Sequence, residues 1–380
     1  MQRQPAAAEL DSGSVVQTVS PDPVTWAERL APAIAGESFP ESGRSLGLVD
    51  LQVNGFAGVD FNDEGLTPEA LDHALEVMLS TGVTTCLPTM ITADRATLMA
   101  RFRALDAAVS QSRLGPWMVP GYHLEGPFLN PGEGLAGCHP AAAMVPANVD
   151  LVTDLEAALT RPILLITVAP EIEGALAFIR WANARGKLVA VGHSSPEEAV
   201  LAAAVEAGLS LSTHLGNGLP HSLPKLANPL FWQLAEDRLT ATIIADGLHV
   251  PPAALKTMIR AKGPDRAILV TDAVSAAAAT LGLHPFAGMS VELAADGTVR
   301  QPGRGNLAGS SLCLDAALRN VVRFGIAPPR EVLRMACANP RRALAEPLRR
   351  HGLHLPASLV TWSSDLRVEA AAAGPFWRRN

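Results

Sequence analysis

The chain lacks the features that would direct it toward nucleic acid, a membrane or a disulfide framework. Its 30 Lys and Arg stand against 37 Asp and Glu, a net charge of -7, so there is no basic footprint for a polynucleotide. That average still leaves room for a few local cations to hold an anionic small molecule. Only four cysteines occur, Cys86, Cys138, Cys313 and Cys337, scattered and without C-x-x-C spacing, which reads as the reduced thiols of a cytoplasmic protein. The stretch "MQRQPAAAELDSGS" has no apolar segment of the secretory kind, and no apolar run approaches the roughly 18 residues of a membrane span. No G-x-G-x-x-G turn follows an early strand, and no linker divides the middle of the chain. An open dinucleotide-binding sheet and a pair of packed α/β domains are therefore both disfavoured.

What is present is a framework that is 48% hydrophobic over 380 residues, enough for one large core and a small accessory domain. Apolar runs of strand length alternate with segments of helical period. The runs are 46–53, 83–88, 117–124, 162–168, 187–192, 209–213, 240–245 and 266–271. Between them, "TPEALDHALEVMLSTG" opens on a Thr-Pro cap and stops at Gly82, and "SPEEAVLAAAVEAG" repeats that arrangement. Eight such units predict a (β/α)8 TIM barrel over 46–349. Residues 1–45 and the strand-like stretch 350–380 are expected to pair as a small β domain built from both termini.

In a barrel of this type the active site lies at the C-terminal ends of the strands. Those ends carry Gln52 and Asn54, then Glu125, His193, His214, Asp246 with His249, and Asp272. One histidine after a strand usually serves packing, but several metal-compatible groups at successive ends seldom arise that way. Glu125, His193 and His214 offer one carboxylate and two imidazoles. That set suits a single divalent ion, Zn2+ first, with Fe2+, Mn2+ or Co2+ compatible, and it leaves coordination positions open. Asp272, ending the eighth strand in "LVTDAV", is placed as a general base for an attacking water. His249 is placed to polarise a carbonyl or hold a substrate hydroxyl. His123 shares a strand face with Glu125 and reads as a supporting or structural residue.

The segments "DLQVNGFAGVDFND", "HLEGPFLNP", "VGHSS", "THLGNGLP", "IIADGLHV", "LVTDA" and "LAGSSL" resemble, in that order, the N-acetylglucosamine-6-phosphate deacetylase family of the amidohydrolase superfamily. The resemblance spans most of 46–345. It implies a metal-dependent hydrolase of linear amides that deacetylates N-acetylglucosamine 6-phosphate to glucosamine 6-phosphate and acetate in amino sugar catabolism and forms a homodimer. It also implies Glu125, His193 and His214 as metal ligands and Asp272 as the catalytic acid/base. Substrate contacts would come from Cys138, His139, Asn217, Gly218, His249, Leu307, Ala308 and Gly309. Members with two metals carry His-x-His on the first strand. Here Gln52 and Asn54 occupy those places, which implies one metal with both amides hydrogen-bonding around its water.

One departure bears on the substrate. Where the family's phosphate-binding arginine is expected, this chain reads "HSLPKLANP", and Lys225 is the nearest cation. Lysine binds phosphate as a point charge and cannot make arginine's two-pronged contact. An amidohydrolase acting on another N-acyl amino sugar, or on an unphosphorylated one, is the nearest alternative. Ring-opening chemistry with a bridging lysine is disfavoured, because Lys187 begins its strand six residues before His193. A non-catalytic sugar-binding paralogue should have lost a ligand or the acid, and this chain retains all four.

Overall fold

The computed structural model describes residues 17–18 and 43–380. Most of the expected segment 1–45 therefore lies outside the described residues. Eight parallel strands form the central sheet, in the order of the chain. We number them β1 (Leu48–Val53), β2 (Val83–Ile91), β3 (Tyr122–Glu125), β4 (Ile163–Val168), β5 (Leu188–Val191), β6 (Leu211–Ser212), β7 (Thr240–Ile244) and β8 (Ala267–Val270). Strands β1, β2 and β4 are buried along their whole length, as expected of strands covered on both faces.

Strand β8 meets β1 just beyond its own end, and this seam closes the barrel. Asp272 N donates to Gln52 O at 2.9 Å, Asn54 N donates to Ala273 O at 2.7 Å, and Val53 bridges Ala273. A buried carboxylate fastens the same seam. Asp50 Oδ2 accepts from Thr271 Oγ1 at 2.5 Å, and its Oδ1 accepts from Thr271 N at 3.2 Å and Gln52 N at 3.3 Å.

The first helix, Pro68–Ser80, follows its sequence signals: Thr67 caps Ala70 N, proline stands in the first turn, and Gly82 takes φ +84°. Two expected elements begin elsewhere. The run 117–124 is a strand only from Tyr122, because Pro116 opens a short helix, Gly115–Met118, and Pro120 cannot donate to a ladder. The Ser-Pro cap expected before the helix after β5 is not used. Ser195 N instead donates to Glu171 Oε1 at 2.7 Å, and the helix starts at Glu198.

A five-stranded antiparallel sheet unites both ends of the chain. Its order is Gln17–Thr18, Phe376–Arg379, Val368–Ala373, Ser358–Trp362 and Arg44–Ser45. A second small sheet, Gly282–Phe286, Met289–Leu293 and Val299–Arg300, was not anticipated from the sequence. It inserts between β8 and the segment Leu307, Ala308 and Gly309, and Ala308 N donates back to Val299 O at 3.0 Å. Among the described residues, no helix is long and apolar enough to cross a membrane.

Candidate active site

Glu125 is the last residue of β3. His193, His214 and Asp272 each stand two residues beyond the end of β5, β6 and β8. Those three residues share a left-handed backbone, with φ of +50°, +29° and +48°. The conformation is costly for any residue with a Cβ, on the order of 1–3 kcal/mol, and persists only where the surroundings over-determine it. Just beyond β5, β6 and β8 the chain thus turns at the residue whose side chain enters the cluster.

The four side chains converge at the barrel mouth. Glu125 Oε1 lies 3.0 Å from His214 Nε2 and 3.3 Å from His193 Nε2. The rings of His193 and His214 meet edge-on, with centroids 4.9 Å apart. Gln52 Nε2 joins the two carboxylates, donating to Glu125 Oε1 at 3.0 Å and to Asp272 Oδ1 at 3.1 Å. Asn54 Nδ2 adds a 2.8 Å bond to the same Asp272 oxygen. The amides of the first strand therefore hold carboxylates, a more specific arrangement than hydrogen bonds to water.

The donor set fits a cation. His193 Nδ1 donates to the carbonyl of Leu135 at 2.7 Å, so its proton is fixed there and Nε2 carries a lone pair. That Nε2 is buried and has no hydrogen-bond partner among the described residues, yet it faces a carboxylate oxygen. Two electron-rich atoms in such contact need a positive centre between or beside them. One donor atom from each of Glu125, His193 and His214 lies within 4.8 Å of the others. Burial opposes charge on Glu125, but the imidazoles around it, His214 bonded to its Oε1 among them, hold its carboxyl well below the usual carboxylate range.

Asp272 behaves differently. Burial first, and then the negative charge of Glu125, raise its pKa to about 6. The same pocket thus pushes its two carboxyls in opposite directions, Glu125 down and Asp272 up.

His139 also reaches this cluster. Its Nε2 lies 3.7 Å from Glu125 Oε2, and its ring packs on His193 with centroids 4.4 Å apart. Thr92 N donates to its Nδ1 at 3.3 Å. Cys138 packs against the small apolar cluster that contains Ile91, Val274 and Ala308, and burial pushes its thiol far up. Asn217 folds back on His214 O through both its backbone N (3.0 Å) and Nδ2 (3.1 Å). Gly218 takes φ +62° against His193, where a Cβ would stand 2.9 Å from Nδ1.

His249 is held by Asp246, Nδ1 to Oδ2 at 2.6 Å. Ala308 is fully buried, and Gly309 takes φ +71° where a Cβ would collide with Val274 Cγ1 at 2.2 Å. Leu307 bridges Arg300 in the inserted sheet. Lys225 is exposed and, among the described residues, makes no ion pair or hydrogen bond.

His123 is wholly buried between Thr89 Oγ1 (3.3 Å) and Thr167 Oγ1 (2.8 Å), and burial lowers its pKa to about 4. Lys187 is buried against Glu156 Oε1 at 2.5 Å and Ile163 O at 3.0 Å. Ile163 begins β4, so this lysine lies at the opposite end of the barrel and cannot bridge metals at the mouth.

Sequence reasoning missed four contributors, Asp50, Thr92, Glu171 and Asn130, whose Nδ2 donates to Glu171 Oε1 at 2.8 Å. Glu171 had a signal. It lies three residues past the end of β4, at the same end of the barrel as the other strand-end residues.

No family model matches the chain. It is 32% identical over 333 residues to N-acetylgalactosamine-6-phosphate deacetylase of Escherichia coli O157:H7, covering 87% of this chain and 83% of that protein. It is also 32% identical over 341 residues to N-acetylglucosamine-6-phosphate deacetylase of Bos taurus, covering 85% and 80%. Among solved structures it resembles the N-acetyl-D-glucosamine-6-phosphate deacetylase of Mycobacterium smegmatis in complex with N-acetyl-D-glucosamine 6-phosphate. That likeness has a TM-score of 0.78 and 28% identity, covering 88% of this chain and 86% of the other. With its barrel, its buried donor cluster and this extent of identity, the chain belongs to the N-acetylglucosamine-6-phosphate deacetylase family of the amidohydrolase superfamily.

Proposed function

We propose that the chain removes acetate from an N-acetylhexosamine 6-phosphate, N-acetylglucosamine 6-phosphate first, leaving the free amino sugar phosphate. The observation that carries the reading is the buried donor cluster of Glu125, His193 and His214, with Asp272 joined to Glu125 through one amide of Gln52.

Glu125, His193 and His214 would hold one divalent ion, Zn2+ by donor type. When bound, that ion supplies Lewis-acid activation of water and of the acetamide carbonyl. Asp272 accepts two hydrogen bonds on Oδ1, which leaves Oδ2 to take the proton of the attacking water. The same carboxyl then gives that proton to the departing sugar nitrogen, so the proton count balances without a further group. Asp246 fixes His249 through Nδ1, leaving Nε2 for the substrate carbonyl or hydroxyl. Cys138, His139, Asn217, Gly218 and the segment 307–309 would line the sugar site. Gln52 and Asn54 fill the place of a second metal site and orient the base.

Lys225 is the candidate contact for the phosphate. Its exposure, and the missing arginine, favour a second reading in which the 6-phosphate contributes less than elsewhere in the family. The E. coli relative acts on the galacto epimer by its name, which keeps that epimer in view. A homodimer would cover the exposed Leu226 and Phe231 after β6. Four free thiols agree with a cytoplasmic setting.

The test is acetate release from N-acetylglucosamine and N-acetylgalactosamine, each with and without the 6-phosphate, with metal content measured on the same sample. Turnover of the phosphorylated gluco sugar above the others is expected. A metal-loaded protein inert toward all four would sink the reading.

A further inference from the structure

His193 is strained and yet central, so something must hold it. Its carbonyl accepts from Asn130 N at 3.1 Å, its Nδ1 donates to Leu135 O at 2.7 Å, and the next residue, Ser194, donates from N to Gly218 O at 3.2 Å. One carboxylate oxygen ties these segments together. Glu171 Oε1 accepts from Ser195 N at 2.7 Å and from Asn130 Nδ2 at 2.8 Å. Asn130 Oδ1 in turn accepts from Gly132 N at 2.9 Å, and Gly132 O accepts from Leu135 N at 3.1 Å. The path Glu171, Asn130, Gly132, Leu135 ends on the imidazole itself.

We infer that Glu171 is a positioning residue for metal binding, acting through His193 from both of its chain neighbourhoods. This rests on the assignment of His193 as a metal ligand. Glu171 is not in the donor cluster and contributes no ligand atom to it. Its part is to hold a left-handed residue, and the carbonyl that fixes that residue's tautomer, so that Nε2 is already aimed when an ion arrives. Partners of this kind, one step removed from the metal, typically alter affinity by roughly 10- to 100-fold.

The geometry distinguishes a positioning role from a need for negative charge. Both bonds to Glu171 end on Oε1, and Oε2 is buried without a partner among the described residues. Glutamine at this position keeps an acceptor for both donors, and alanine keeps neither.

The experiment measures Zn2+ affinity of the full chain, stripped and reloaded, by competition with a chelating indicator. Wild type, Glu171→Ala, Glu171→Gln and Asn130→Ala would be compared. We expect Glu171→Ala to weaken zinc by roughly 10- to 100-fold, Asn130→Ala to follow it, and Glu171→Gln to stay close to wild type. Asp106→Asn serves as control for general loss of stability. That carboxylate is tied to Tyr122 and Thr160 at the other end of the barrel, and its substitution should lower the melting temperature without moving zinc affinity. Unchanged affinity in Glu171→Ala overturns the inference while leaving the metal site standing. So does a glutamine variant as weak as alanine, or an Asp106 variant that weakens zinc equally. A wild-type chain that takes up no zinc overturns the ligand assignment and this inference together.

Discussion

Asn54 Nδ2 donates to Asp272 Oδ1 across 2.8 Å, and the bond spans the seam where the first and eighth strands of the barrel meet. The residues are 218 positions apart, so closing the barrel also fixes the orientation of this carboxylate. Gln52 repeats the relationship at 3.1 Å. With one oxygen of Asp272 saturated by amides, the other is free for chemistry.

Asn54→Leu should leave metal content unchanged and lower kcat. A hydrogen bond to a charged group is worth about 1.5–3 kcal/mol, which corresponds to roughly 10- to 150-fold in rate. Because this bond lowers the Asp272 pKa, the acid limb of the rate profile should also move to higher pH. Wild-type kcat in this variant would remove Asn54 from any part in aiming the base.

Asp272→Asn keeps an acceptor for both amides and removes the base. Turnover should fall by at least about 10²- to 10⁴-fold, the usual weight of general acid–base catalysis, with zinc still bound. In the wild type the base must be ionised to accept a proton. With its pKa raised to about 6, kcat/KM should rise with pH through that value and level off above it. Any residual activity of the Asn variant should lack this limb. Substantial deacetylation by the variant, measured as acetate released, would exclude Asp272 from its role.

Gly218→Ala tests the packing around His193. A methyl there would stand 2.9 Å from Nδ1, on a backbone with φ +62° that also disfavours alanine. The imidazole must shift off Leu135 O, so zinc affinity should drop along with thermal stability. Isothermal titration with Zn2+ at wild-type affinity would show that His193 does not depend on this contact.

Asp50 offers a prediction for stability alone. Burial raises its pKa from 3.8 to about 7, despite hydrogen bonds from Thr271 and Gln52 that act the other way. The folded state therefore holds a proton that the unfolded chain has released between these values. Its contribution is full below about 3.8 and is lost as pH rises through 7. Asp50→Asn abolishes this titration. The stability difference between variant and wild type should shift in the variant's favour from pH 4 to 7, by at most about 1.4 kcal/mol per pH unit. Parallel denaturation curves at all pH values would contradict the assignment.

Much of this was legible from residue order alone. Strand and helix periods placed all eight barrel strands, and the strand-end rule found Glu125, His193, His214 and Asp272 because side chains there have no packing reason to be polar. The same rule passed over Glu171, since its bonds go to backbone and amide groups whose positions follow only from folding. The inserted sheet at 282–300 was missed because its exposed, alternating residues give a weak strand signal beside the long apolar runs of the barrel. The Ser-Pro cap before Glu198 misled because Ser195 found a stronger partner in Glu171.

The sequence by itself determined the donor types, their order and the absence of a second pair of histidines, since these are properties of residue identity and spacing. Only the tertiary structure decided which nitrogen of His193 carries the proton and that Gln52 bridges the two carboxylates. It alone also set His193, His214 and Asp272 in left-handed conformations. The physical reason is distance along the chain. Gln52 and Asp272 are separated by 220 residues, and His193 and Leu135 by 58, so no local preference can encode contacts that exist only once the barrel has closed.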